Sequence, residues 1–259
     1  MKYKIYKPSG NDTALVYGTS YSRDEKKKIN DIIMGKHSNV EQVGFIDKEK
    51  KELEMAGNEF CGNASRCAAY EFLDGKMGDV QIRVNEGEVI KAGVDENNNA
   101  WCEIPLLKNK DFIYEKEKNI FIVELKGINM IILMYDVSKK YLSSNIDLKE
   151  LCKSYIKKYN MLDKKAVGIV LLENIEDKIK INPIVWVKAI DTCFCETACG
   201  SGSMASCITI AQIYKKSQQL HLIQPSGMEI ITSVDYDEGS FKNAMISGNI
   251  ITDNVEYII

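Results

Sequence analysis

Two cysteines begin the same short phrase in this chain. Cys61-Gly62-Asn63-Ala64-Ser65 returns as Cys199-Gly200-Ser201-Gly202-Ser203, 199 − 61 = 138 residues later, and each copy runs on into a helical pattern, Arg66 to Leu73 and Met204 to Tyr214. Each thiol is thereby placed at a helix N-terminus, where unpaired backbone N–H groups and the positive end of the helix dipole favour an anion. Such surroundings lower a cysteine pKa from about 8.5 to ~3.5–7.5, so thiolate is available at neutral pH. Two pseudo-symmetric halves would set Cys61 and Cys199 facing one another across a cleft. One thiolate then removes a proton from carbon while the other thiol returns one to the opposite face, inverting a stereocentre. Charge developing on an adjacent carboxylate needs preorganised donors. Backbone N–H groups of Gly62, Asn63, Gly200 and Ser201 supply them, with glycine at the closest points. The substrate class that follows is a small molecule: an amino acid, or another acid with an α stereocentre. The competing reading is a binding or redox-sensing protein in which the two cysteines close a regulatory disulfide without turnover.

Other chemistries fit the residues less well. The chain has eight cysteines in 259 residues, but a disulfide framework belongs to short secreted chains, so reduced thiols are expected. Cys67, Cys102, Cys152 and Cys207 sit in helix or strand patterns and read as small core hydrophobes. Cys193-Phe194-Cys195 with Cys199 lacks a second Cys/His pair at ligand spacing, so no metal is expected. His37 and His221 lie in no motif that would make either a catalytic base. Gly200 to Ser203 lacks the lysine of a phosphate loop. A net charge of −3, from 34 basic and 37 acidic residues, leaves no cationic excess for nucleic acid. Met1 to Pro8 is too charged for a signal peptide, and apolar runs such as Val167 to Leu172 fall far short of the roughly 18 residues that span a bilayer. A cytoplasmic protein with no membrane partner is expected.

The elements that must position the cysteines also come twice. Lys2 to Lys7 alternates as a strand with one wet face, Pro8 to Asp12 is a turn, and Ala14 to Tyr17 is a strand. Asp24 to Met34 reads as one surface helix, with Ile29, Ile32 and Ile33 at helical spacing and Gly35 closing the segment. Gln42 to Asp47 is a strand before the charged hairpin region Lys48 to Glu54. After the first cysteine helix, ended by Asp74-Gly75, strands at Val80 to Val84 and Val89 to Val94 flank a turn at Glu86-Gly87. The second half restates this order with Gly127 to Leu133, a helix over Ile146 to Tyr159, Val167 to Val170, the second cysteine helix, and strands at Leu220 to Ile223 and Ile230 to Val234. Gly44 lies 61 − 44 = 17 residues before its cysteine and Gly168 lies 199 − 168 = 31 before its own, so an extra hairpin is expected between Glu173 and Phe194. Such duplicated units predict an α+β protein of two similar halves. The first is placed at residues 1–112, the second at 113–248, with a crossover near Lys108 to Lys118.

The segments Pro8-Ser9-Gly10-Asn11, Glu41-Gln42-Val43-Gly44-Phe45, Gly57-Asn58-Glu59-Phe60-Cys61-Gly62-Asn63-Ala64, Glu196-Thr197-Ala198-Cys199-Gly200-Ser201-Gly202 and Gln224-Pro225-Ser226-Gly227 resemble the diaminopimelate epimerase family of cofactor-independent amino-acid racemases. Within that family the wording is similar to the histidine racemases that feed opine-type metallophore synthesis. The resemblance implies two pseudo-symmetric domains, each a curled, mostly antiparallel sheet around a central helix. It implies that the last strand, near residues 249–259, returns to the first domain, and that no pyridoxal phosphate or other cofactor is used. By position it makes Cys61 and Cys199 the acid/base pair and Gly62, Asn63, Gly200 and Ser201 the α-carboxylate site. It places Asn11, Glu41, Gln42 and Asn129 at the substrate, although Gly-Ile-Asn-Met around Asn129 departs from the family's Asn-Pro-His. A homodimer is a family-level expectation. Diaminopimelate epimerases set a Glu-Arg pair before the second cysteine, where this chain has Asp191-Thr192. Without that arginine fork a distal carboxylate is not gripped, so histidine or a similar amino acid is the better substrate and diaminopimelate the alternative. Double-bond isomerases and hydroxyproline dehydratases share related scaffolds but lack the cysteine pair.

Overall fold

The computed structural model describes residues 1–84, 87–107, 112–144, 146–188 and 191–259. The chain divides into two compact units, Met1–Ile104 with Ile246–Ile259, and Pro105–Met245. The turn expected at Glu86-Gly87 begins outside the described residues, as do residues 108–111 of the expected crossover. Within the rest of that stretch Ile113–Glu117 is a strand, of which only Ile113 is buried.

The first unit opens with β1 (Lys2–Lys7), β2 (Asp12–Tyr17), α1 (Arg23–Lys36), β3 (Val40–Asp47) and β4 (Glu52–Met55). There follow α2 (Gly62–Phe72), β5 (Gly78–Arg83), β6 (Val89–Val94) and β7 (Asn99–Glu103). β1 and β2 pair antiparallel, β2 and β3 parallel across α1, and β3 and β4 antiparallel. β4 joins β5 in parallel, and β5, β6 and β7 form an antiparallel run. Strands β2, β3, β5, β6 and β7 all contact α2, so the sheet wraps that helix. Ten of its eleven residues are consequently buried, which explains its run of small side chains: Ala64, Cys67, Ala68 and Ala69 let strands approach from several sides. Asp74 and Gly75 follow at positive φ and stop it. Helix α1 instead covers one outer face, burying Ile29 and Ile33 against Tyr3, Val16 and Phe45. Its Ser22–Glu25 capping box fixes the start. Of the three isoleucines at helical spacing Ile32 is 43% exposed, and one expectation is corrected: Gly35 lies inside the helix, which ends at His37 in an extended conformation.

The second unit repeats this wiring. It comprises β8 (Ile113–Glu117), β9 (Ile120–Leu125), β10 (Ile128–Leu133), α3 (Tyr135–Leu142), α4 (Leu148–Lys158), β11 (Ala166–Ile175) and β12 (Lys178–Val187). Next come β13 (Thr192–Cys195), α5 (Gly200–Tyr214), β14 (Gln218–Ile223), β15 (Glu229–Asp237) and β16 (Ser240–Asn249), whose last residues belong to the first unit. β9 and β10 pair antiparallel, β10 and β11 parallel, β11 and β12 antiparallel, β12 and β14 parallel, β14 and β15 antiparallel. The expected extra hairpin is the long β11–β12 ribbon, to which β13 adds a third strand. Helix α5 is apolar or small all round, as a helix enclosed by strands must be. No helix in the described residues is long and apolar enough to cross a membrane. At the end of the chain β17 (Ile251–Thr252) and β18 (Tyr257–Ile258) both pair with β1.

One carboxylate ties the far end of α2 to its sheet. Glu71, 6% exposed, accepts hydrogen bonds from Tyr6 on β1, Tyr17 on β2 and Lys48 on the β3–β4 turn, and pairs with Lys4. Burial alone would raise the Glu71 carboxyl, but the bonds from Tyr6, Lys48 and Tyr17 outweigh it and hold it below the ordinary carboxylate range. A carboxyl depressed by folding stabilises the protein above its unfolded pKa, about 4.3, and that contribution is lost as pH falls through the folded value. Glu71→Gln should therefore cost about 2 kcal/mol in urea denaturation at pH 7 and progressively less as the pH is lowered below 4.

Candidate active site

Both cysteines are N-caps, and they cap in the same way. Cys61 precedes α2 at φ −131, ψ 112 and Cys199 precedes α5 at φ −132, ψ 106. The Cys61 Sγ accepts the backbone N–H of Ala64 at 3.4 Å, and the Cys199 Sγ accepts that of Gly202 at 3.3 Å. In each copy the serine hydroxyl four residues on donates to the cysteine carbonyl, Ser65 at 2.8 Å and Ser203 at 2.7 Å. The repeated phrase thus encodes a repeated turn: a sulfur where a cap oxygen would ordinarily sit, with the serine pinning the carbonyl behind it. Gly62 and Asn63, like Gly200 and Ser201, take the first two helical positions, whose N–H groups the helix itself does not use. Space at the first of these in α2 is tight: a Cβ on Gly62 would lie 2.6 Å from Ile246 Cδ1, which would have to shift.

The other six cysteines are chemically quieter. Burial pushes every one of their thiols up, Cys102 to about 12 and Cys207 to about 11, and Cys67, Cys152, Cys193 and Cys195 in the same direction. Cys67, Cys102, Cys152 and Cys207 are buried, as core hydrophobes should be. Among the described residues no group of three or more His, Cys, Asp or Glu could hold a metal ion. His37 caps α1 and bonds the Tyr3 hydroxyl at 2.8 Å, while His221 meets Glu229 on the neighbouring strand.

In the first unit Gln42 meets Cys61, and Gly62 and Asn63 follow it in the same turn. The Cys61 thiol donates to Gln42 Oε1 at 2.8 Å. Gln42 follows a β-bulge: Asp12 stands opposite Val40 and Thr13 opposite Gln42, so Glu41 is the extra residue, half-buried. Bulges re-aim side chains and bend the strand locally. Asn11 is 2% exposed and held at φ 56, after Ser9 at φ 69 and Gly10 at φ 105. Three successive residues in the left-handed region, two of them not glycine, are costly and persist where surroundings impose them. In the second unit Gly200 and Ser201 lie in the Cys199 turn, whereas Asn129 is on β10 opposite Val167 of β11. Asp191, at φ 45, accepts the Trp186 indole N–H at 2.9 Å and closes the approach to β13.

Two supporting residues were not singled out from the sequence. Gln224 is fully buried; its Oε1 accepts the Cys199 N–H at 3.0 Å, and its Nε2 donates to Ser203 Oγ at 3.1 Å and to the Leu222 carbonyl at 2.9 Å. Arg66, also with no exposure, donates from Nη2 to the Pro8 carbonyl at 3.0 Å and to Asn63 Oδ1 at 2.9 Å. It joins the strained turn before Asn11 to the helix that Cys61 caps. The only advance signal for Arg66 was a cation inside an otherwise small and apolar helix.

Comparison with known proteins gives a consistent picture. A family model described as the histidine racemase CntK N-terminal domain matches residues 1–254. A histidine racemase of Fusobacterium nucleatum subsp. nucleatum is 29% identical over 233 residues, covering 85% of this chain and 84% of that protein. A histidine racemase of Staphylococcus aureus is 22% identical, covering 97% of this chain and 95% of that one. Among solved structures, a hydroxyproline epimerase from Agrobacterium vitis with bound trans-4-hydroxy-L-proline has a TM-score of 0.63 at 11% identity, over 99% of this chain and 91% of that one. A phenazine biosynthesis protein of the PhzF family from Enterococcus faecalis has a TM-score of 0.57 at 12% identity, over 100% and 99% of the two chains. At these identities the structural likeness is one of fold.

Gln224→Met fills the same space but leaves the buried Cys199 N–H without its acceptor. Stability in urea should fall by about 1–3 kcal/mol, and alkylation of Cys199 in the folded variant should change while that of Cys61 does not.

Proposed function

Because the chain belongs to the histidine racemase family, whose model spans residues 1–254, we propose that it interconverts L- and D-histidine with Cys61 and Cys199 as its two bases. It is an isomerase of the racemase and epimerase class. The observation that carries the proposal is the duplicated cysteine cap: two sulfurs in matching geometry, each at a helix N-terminus. Among the described residues these are the two cysteines that cap a helix, Cys61 half-buried and Cys199 buried.

In the reaction one cysteine thiolate takes the α-proton and becomes a thiol. The electron pair left on the α-carbon delocalises into the carboxylate, and the other cysteine, starting as a thiol, delivers a proton to the opposite face and becomes the thiolate. One C–H bond breaks and one forms, with no net redox change. The N–H groups of Gly62, Asn63, Gly200 and Ser201 are the donors that meet the growing carboxylate charge, where fixed dipoles stabilise a transition state best. Gln42 suits a base that changes protonation state: its amide oxygen accepts from the thiol, and the amide turned over donates to the thiolate. Asn11, Glu41 and Asn129 are assigned to the substrate, with Glu41 positioned to meet an imidazole rather than a second carboxylate. The missing arginine beside Asp191 speaks in the same direction. Placement in the cytoplasm, a homodimeric state and supply of D-histidine to metallophore assembly are parts of the same proposal.

The test is proton NMR of the reduced protein with L-histidine in heavy water and no added pyridoxal phosphate. The α-proton signal should vanish as D-histidine accumulates. Cys61→Ser and Cys199→Ser should each lower racemisation by at least about 10²-fold, the range expected for loss of an acid/base group. Normal racemisation by either folded variant would exclude the two-cysteine mechanism, and exchange at diaminopimelate but not at histidine would exclude the substrate assignment.

A further inference from the structure

The two cysteine turns match in backbone and in serine support, but they differ in charge at one inward-facing position. Five residues after Cys61 stands Arg66, and five residues after Cys199 stands Met204; both side chains have no exposure. Helical side chains lean back toward the N-terminus, and the Arg66 guanidinium does so, reaching Asn63 and the Pro8 carbonyl through Nη2. Its Nε and Nη1 are buried and have no hydrogen-bond partner, and among the described residues no carboxylate forms an ion pair with it. A buried charge without a counter-charge is expensive. Burial pushes the guanidinium below its ordinary value, yet arginine does not lose its proton in proteins. Something anionic must answer it.

The groups that feel this charge are Cys67 on α2, Cys102 on β7 and Cys61 at the helix start. Cys67 and Cys102 are fully buried and kept protonated. Asp12 on β2 bears on Cys67, and its carboxylate is already engaged by Asn39. Gln42 of β3 meets Cys61, and its neutral amide accepts from the thiol or, turned over, donates to the thiolate; the half-buried Glu41 precedes it at the bulge. Cys61 is therefore the group whose ionisation gains most: it sits at the positive end of α2 and within the field of Arg66. Met204 offers Cys199 no such field.

We propose that Arg66 is a positioning residue that makes the cysteine pair unequal at rest, with Cys61 held as the thiolate base and Cys199 as the thiol acid. Arg66 has no exposed surface, so it acts through Cys61 and does not touch substrate. The inference rests on the two-cysteine reading above, but its test does not require turnover.

The experiment is alkylation of the reduced, full-length protein by iodoacetamide across pH 4 to 10, with Cys61 and Cys199 followed separately by peptide mass spectrometry. In the wild-type chain the Cys61 rate should rise with a midpoint at least about one pH unit below that of Cys199, roughly a tenfold excess of thiolate. Arg66→Met, which installs the residue found in the second copy, should move the Cys61 midpoint upward by a similar amount and leave Cys199 in place. Arg66→Lys keeps the charge and should restore most of the shift, which a purely structural role for the fork would not do. A wild-type Cys61 midpoint equal to or above that of Cys199 overturns the proposal even if neither variant folds. An unmoved Cys61 midpoint in folded Arg66→Met overturns it as well. Because alkylation reports on the thiols alone, a chain that failed to racemise histidine could still give either result.

Discussion

A sulfur atom accepting the N–H of the third helical residue is the contact on which the rest of this structure depends. Helix N-termini leave backbone donors unmatched, and most proteins satisfy one of them with a serine, threonine or aspartate oxygen. Here a cysteine performs that duty, and the same electrostatics that make the cap favourable make the thiolate favourable. Stability and reactivity are therefore drawn from one source. Any substitution that keeps the cap, such as serine, preserves the helix start while changing the acidity of the group, and this is what makes the two sites separable by experiment.

Positioning such a cap demands that the helix not shift along its axis. In the first unit this is met by enclosure: α2 is contacted by five strands, its C-terminal end is moored by Glu71, and its N-terminal turn is tied through Arg66 to the loop preceding β2. In the second unit the corresponding helix is longer and more apolar, and the mooring at its start is the fully buried Gln224 amide. The two units reach the same turn with different supports. Their shared wiring constrains the backbone, while the side chains that hold it have diverged.

Much of this was legible in the sequence, for identifiable reasons. The cysteine turns could be read because they are local: cap, small residues and helix are contiguous, so no tertiary information was needed. Strands β1, β2, β3, β6, β11 and β14 showed as alternation or apolar runs bounded by turns. What escaped depended on contacts distant in sequence. Ile32 fits a helical stripe yet faces outward, because α1 buries only a narrow face against its sheet. The β8 strand was not read as one because only Ile113 of its five residues is buried, so the stretch shows no apolar pattern. The bulge that sets Glu41 apart exists only in the register between β2 and β3, and register is not written in either strand alone. Gln224 entered only as part of a segment carrying the family resemblance, and its supporting role stayed hidden because its buried hydrogen bonds run to residues 25 and 21 positions away.

The pairing of β17 and β18 with β1 has a consequence for how the chain is made. Pro105–Met245 is inserted within the other unit, whose edge is closed by residues from Ile246–Ile259. During synthesis, domains fold as their residues emerge. The second unit can therefore complete its sheet while the first still waits for the strands that flank β1. Until those residues leave the ribosome, β1 presents a bare edge, and the helix bearing Cys61 belongs to an unfinished shell. The order of translation thus leaves the unit that carries Cys61 the last to have all its residues, although Cys61 is encoded first.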